Sequence, residues 1–313
     1  MKIRALLPTV IVVAMLVSCS QPPGTSAAGP GPTESSSSTA SPTPTPDETQ
    51  PAAQLPSFPE PNAPLPSRAG RFTRAVETVE RDLPRAISMW LDLGGRVKSR
   101  SGRRVALGSL WQQRLYRRLV VRPRLARKVI RRLPPSPARK ADVHVDAGRA
   151  LRSLITPLEP PIRMKTHRPD RYRVLLRAYR RGERRFDVPW EILASVNFIE
   201  SKFGRLLGPS SAGALGPMQF LPSTWDIYGR GNIMDPKDAI MAAARYLNAS
   251  GAPRRMRDAL FAYNHSDAYV DAILTYASEI SKRPRSFYAY YFWQVFVVTT
   301  RGDLQLTGPG RDN

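Results

Sequence analysis

The stretch Asp187-Val188-Pro189-Trp190-Glu191-Ile192-Leu193-Ala194-Ser195-Val196-Asn197-Phe198-Ile199-Glu200-Ser201-Lys202-Phe203 decides the fold. Val188, Ile192, Val196, Ile199 and Phe203 recur at helical spacing, and Asp187 reads as the N-cap of the helix they define. Glu200 falls near the C-terminal end of that helix, at the edge of its apolar face. Desolvation raises a carboxyl pKa, and the negative end of the helix dipole acts in the same direction. The sequence therefore predicts a carboxyl that keeps its proton towards neutrality.

Downstream, Ser210-Ser211-Ala212-Gly213-Ala214-Leu215-Gly216-Pro217-Met218-Gln219-Phe220 reads as a loop, followed by Pro222-Ser223-Thr224-Trp225. Asp235-Pro236 is a cap with proline at the first helical position, leading into Ile240, Ala243, Ala244 and Leu247, with Gly251 as the stop. Ala262-Tyr263-Asn264 comes next. Ser266 then caps a helix that turns Tyr269, Val270, Ile273, Leu274 and Ala277 inward.

The Glu-Ser pair, the Gly-x-Met-Gln loop and the Ala-Tyr-Asn motif, in this order and spacing, resemble the catalytic domain of the soluble lytic transglycosylase superfamily. The stretch from Ser210 to Ser223 is also similar to membrane-bound lytic transglycosylase B. The resemblance covers about Pro189 to Ala277. It implies a lysozyme-like fold with a glycan cleft between helical lobes, and a reaction on peptidoglycan that needs no cofactor. It further implies that Glu200 is general acid and then base. Ser201 would contact an N-acetyl group or the Glu, and Gly216, Met218 and Gln219 would line the cleft. Tyr263 would hold the Glu200 carboxyl, and Asn264 would fix the local backbone or bind sugar.

A protonated carboxyl is what glycoside cleavage needs for its leaving oxygen. Glycosidases usually pair two carboxylates, and no second acid here has a claim comparable to Glu200. One acid suffices when the C6 hydroxyl of N-acetylmuramic acid attacks its own anomeric carbon, leaving a 1,6-anhydro end. The expected reaction is thus cleavage of the β-1,4 bond between N-acetylmuramic acid and N-acetylglucosamine, in cell-wall remodelling. A hydrolytic muramidase of the goose-lysozyme kind stays open, as do a non-catalytic peptidoglycan-binding lipoprotein and an anion-binding adaptor.

The rest of the chain predicts where such an enzyme works. Lys2 and Arg4 precede the short apolar run Ala5 to Val17, which ends in Leu16-Val17-Ser18-Cys19. This resembles a lipoprotein lipobox, with residues 1–19 as signal peptide and Cys19 as the acylated residue. The expected location is the outer face of the bacterial cell membrane, anchored by lipid and facing the wall. Residues 20–67, rich in Pro, Ser and Thr, predict a disordered tether reaching on the order of 100 Å.

Residues 68–163 read as a basic helical accessory region. One helix carries Phe72, Val76, Val79 and Leu83 and is ended or kinked by Pro84; the next two carry Leu110 to Val120 and Leu125 to Leu133. Residues 164–285 form the lysozyme-like domain. In the tail, 286–313, the run Phe287 to Thr300 predicts a strand, Arg301-Gly302-Asp303 a turn and Leu304 to Thr307 its return. The fold class expected is mainly α, a lysozyme-like (α+β) domain with a helical N-terminal region and a small C-terminal β-hairpin.

The 313 residues carry a formal charge of +23. An export signal turns that charge away from nucleic acid and towards wall polymers and other anionic glycans. Cys19 is the single cysteine, and His144, His167 and His265 lie far apart, so neither a disulfide framework nor a zinc site is expected.

Overall fold

The computed structural model describes residues 56–311. Cys19, the expected signal peptide and the first part of the expected tether lie outside the described residues.

Two regions of helices share one apolar core, which runs from Phe72 to Trp293. The first region contains α1 (Ala69–Asp92), α2 (Arg100–Val121), α3 (Pro123–Ile130) and α4 (Pro135–Ser153). The second contains α5 (Tyr172–Phe186), α6 (Trp190–Ser201), α7 (Pro222–Tyr228), α8 (Pro236–Ala249), α9 (Met256–Tyr263), α10 (Asp267–Lys282) and α11 (Arg285–Tyr291). A two-stranded antiparallel hairpin, β1 (Phe296–Thr299) with β2 (Gly302–Gln305), follows in the register Phe296↔Gln305 to Thr299↔Gly302. The chain is mainly helical with a small C-terminal sheet, as its sequence predicts.

α4 lies against α10, and α11 packs on α1 and α2. Polar contacts cross the same seam. His144 Nδ1 donates to the Lys140 carbonyl at 2.7 Å, which leaves Nε2 to accept from the Tyr290 hydroxyl at 2.7 Å. Burial pushes the His144 imidazole down to about 4, so it stays neutral. Lys140 Nζ meets the buried Glu80 carboxylate at 2.6 Å, tying α4 to α1.

Several local expectations are corrected. Pro84 lies inside α1, which continues to bury Ala86, Ile87 and Trp90. Burying those side chains outweighs a proline penalty of roughly 3 kcal/mol. Pro134-Pro135 lies between α3 and α4, with Pro134 at the N-cap and Pro135 in the first turn of α4. Asp187 ends α5 in the left-handed region at φ 54°, and Pro189 stands at the N-cap of α6. The aromatic run after Arg285 is not a strand at its start. Phe287 to Tyr291 are helical, and the hairpin turns at Thr300-Arg301.

Residues from Pro56 on, expected to belong to a disordered tether, join the folded body instead. Phe58, Ala63 and Leu65 pack on the core. Arg104 Nη1 donates to the Pro56 carbonyl at 3.2 Å, and Arg114 Nη1 to the Pro61 carbonyl at 2.6 Å. The reason lies in α2: a Cβ on Gly108 would sit 2.8 Å from the Phe58 ring, so only glycine leaves the notch that Phe58 fills.

Candidate active site

α6 runs through the interior, with all its residues buried except Glu191 and Ile199. Gly182 allows this on one side, since a Cβ there would lie 2.9 Å from the Leu193 side chain. Glu200 is 4% exposed at the end of the helix. Its Oε1 accepts a 2.6 Å hydrogen bond from the hydroxyl of Tyr269, a fully buried residue in the first turn of α10. Burial pushes the Glu200 carboxyl up to about 8, against the Tyr269 hydrogen bond and the Lys202 ammonium, which both pull it down. It is therefore protonated at neutral pH.

This arrangement corrects the role implied for Tyr263, whose hydroxyl donates to the Met218 carbonyl at 2.6 Å. The phenol that holds Glu200 belongs to Tyr269. Its inward direction follows from the Ser266 cap, whose side chain accepts from the Tyr269 N–H, but no motif marked it.

The loop before α7 closes on itself. Leu215 and Phe220 form an antiparallel bridge, and the Gln219 N–H and Nε2 both donate to the Gly216 carbonyl, at 3.1 and 2.9 Å. Gly216 takes φ 75°, and a Cβ there would lie 2.2 Å from the Ile233 carbonyl, so a side chain is excluded. Gln219 is itself left-handed at φ 50°. It is 7% exposed, and its buried Oε1 has no hydrogen-bond partner among the described residues. Met218 is fully buried and fills the core, and what it presents is the carbonyl that Tyr263 holds.

Ser201 straps this loop to α6. Its hydroxyl donates to the Pro217 carbonyl at 2.7 Å and accepts from the Gly204 N–H at 3.0 Å. Asn197 Nδ2 reaches the same carbonyl at 2.8 Å, and Tyr179 donates to Asn197 Oδ1 at 2.5 Å. Ser201 is fully buried and makes no hydrogen bond to the Glu200 carboxyl, so its contact is with the loop. Sequence reasoning missed Asn197, which is polar on a helix that otherwise reads as core. Asn264 is buried at the end of α9, where its own main chain is held: its N–H donates to the Leu260 carbonyl and its carbonyl accepts from the Ser266 N–H at 2.7 Å.

Four other acids near these motifs have other tasks. Asp235 caps α8 by accepting from the Lys237 and Asp238 N–H groups. Asp238 accepts from the Asn232 N–H at 2.9 Å, while Asp267 and Asp271 pair with Arg257. Among the described residues, no group of three or more His, Cys, Asp or Glu converges as a metal site would require.

A mainly helical domain with a buried, protonated glutamic acid beside a Gly-x-Met-Gln loop is of the lysozyme-like class. Residues 177–284 match the family model described as the transglycosylase SLT domain, and the chain carries that domain, the domain of lytic transglycosylases that act on peptidoglycan. No curated protein and no solved structure matches the chain.

Proposed function

We propose that the protein cleaves the β-1,4 bond between N-acetylmuramic acid and N-acetylglucosamine and leaves a 1,6-anhydro end. The observation that carries this reading is the buried Glu200 carboxyl, protonated at neutral pH and oriented by Tyr269. Glu200 gives its proton to the glycosidic oxygen as the bond to C1 breaks. The C6 hydroxyl oxygen bonds to C1, and its proton passes to the Glu200 carboxylate. No water enters, and the acid is regenerated. The burial that keeps Glu200 protonated also makes the carboxylate a good base for the second transfer.

The lipobox supports a location on the outer face of the cell membrane, anchored through Cys19, with the substrate in the wall. A groove between α5 and α8 supports a second contact there. It is lined by Arg177, Arg181, Arg185, Arg230, Lys237 and Arg245, with Asp238 as its acid. None of those cations has an ion-pair partner among the described residues, which suits an anionic wall polymer.

The test is mass analysis of muropeptides released from purified sacculi. Products lighter by one water than hydrolysis products, and resistant to borohydride, are expected. Reducing ends alone would assign the enzyme to the hydrolytic muramidases.

A further inference from the structure

Phe198, Ile199 and Lys202, at the end of α6, line a second, partly open space, where Lys202 lies near enough to Glu200 for each to act on the other's charge. A cavity of about 130 Å³ lies between α2, α4, α6, α10 and the hairpin. Val120, Leu151, Ile155, Phe198, Trp293 and Val298 give it apolar walls.

Its charges do not balance. Arg117 and Arg152 share one carboxylate, that of Asp303, at 2.8 and 2.7 Å. Lys202, also on the wall, has no carboxylate within ion-pairing distance among the described residues. Its Nζ donates to the Phe198 carbonyl at 3.0 Å and lies 4.3 Å from the centre of the Phe198 ring. Cations in excess of carboxylates, within apolar walls, are stable only when an anion joins them or when one gives up its proton. Burial, with Arg117 next, pushes Lys202 down to about 7, in accord with that alternative.

Outside, a second hollow shares Arg117, Arg152, Phe296 and Asp303 with the cavity and adds Arg114, Arg118, Arg122 and Arg301. Such a rim draws anions towards the opening. The volume sets the size of the guest, since an apolar cavity of about 150 Å³ holds a benzene ring.

We propose that this cavity binds a small carboxylate with a compact apolar group, its oxygens received by Lys202, Arg117 and Arg152 and its apolar part by Phe198, Trp293 and Val298. Two sources have this chemistry. One is a free small carboxylate. The other, which rests on the peptidoglycan reading above, is the C-terminal carboxylate of a stem peptide with its alanine methyl groups.

Isothermal titration of the full chain in detergent, without glycan, tests the site, so failure here leaves the glycan-cleaving reading untouched. Benzoate is the probe and benzamide its neutral isostere. Saturable binding of benzoate, at least ten-fold stronger than that of benzamide, is expected. Lys202→Met should weaken it ten-fold or more, and Ile155→Trp, which fills the cavity, should abolish it. Competition by acetyl-D-alanyl-D-alanine would assign the stem peptide, and benzoate binding without such competition the free carboxylate. No saturable benzoate binding, equal binding of benzamide, or benzoate binding unchanged in both variants would overturn the proposal.

Discussion

The Tyr269 hydroxyl stands 2.6 Å from Glu200 Oε1, while the Tyr263 hydroxyl is held by the Met218 carbonyl at the same distance. The two phenols therefore separate into one that orients the acid and one that orients the loop. Tyr269→Phe should lower kcat about 10- to 100-fold. Because the lost hydrogen bond pulls the Glu200 pKa down, the alkaline limb of the pH–rate profile should also move up. Tyr263→Phe should reduce turnover and leave that limb where it is. Profiles of both variants on soluble glycan fragments check this, and identical shifts would show that the phenols act alike.

Glu200→Gln should abolish cleavage, with a loss of about 100- to 10,000-fold or more, in a protein that remains folded and binds glycan. Its stability should depart from that of the wild type in a defined pH window. The folded Glu200 pKa is raised from 4.5 to about 8, so the wild type loses stability as pH rises through that interval and levels off above it. The amide does not titrate. Denaturant melts should therefore show the variant gaining on the wild type by roughly 1 to 4 kcal/mol between pH 5 and 8. A constant difference across the range would contradict the buried, protonated carboxyl.

Ser201→Ala and Asn197→Ala each remove a buried donor to the Pro217 carbonyl. Each should cost about 1 to 3 kcal/mol in denaturant melts. Since both straps hold the same carbonyl, the double variant should depart from additivity.

A chain starting at Thr166 removes α1 to α4 and uncovers the faces of α10 and α11 that they bury. It should fail to form a cooperative fold, which circular dichroism and a thermal melt will show. A folded, active truncation would establish that the second region holds its own core.

A fatty-acid probe should label the wild type in cells and not Cys19→Ser. Equal labelling of both would remove the lipid anchor from the proposal.

What could be read in the sequence was local. Asp235 and Ser266 are caps as their spacing predicts, because a side chain bonding an N–H two or three residues on needs no distant partner. The position of Glu200 was legible for the same reason, from the helix that carries it. Its partner was not, because Tyr269 lies 69 residues away and reaches it only through the packing of α10 on α6. Asp187 was misplaced because aspartate suits both an N-cap and a left-handed helix end. Phe287 to Tyr291 read as strand because aromatic residues favour any well-packed, buried surface, and here that surface belongs to a helix. The docking of Phe58 was hidden because the notch belongs to Gly108, a residue whose sequence context says only that a helix continues.

The burial of α6 on nearly every side bears on how the enzyme responds to heat. A helix at the periphery frays before the body melts, and chemistry placed on it fades gradually. This helix has almost no solvent face from which to fray, and its amides should exchange among the slowest in the molecule. The Glu200 carboxyl should thus keep its position until the cooperative transition and lose it there.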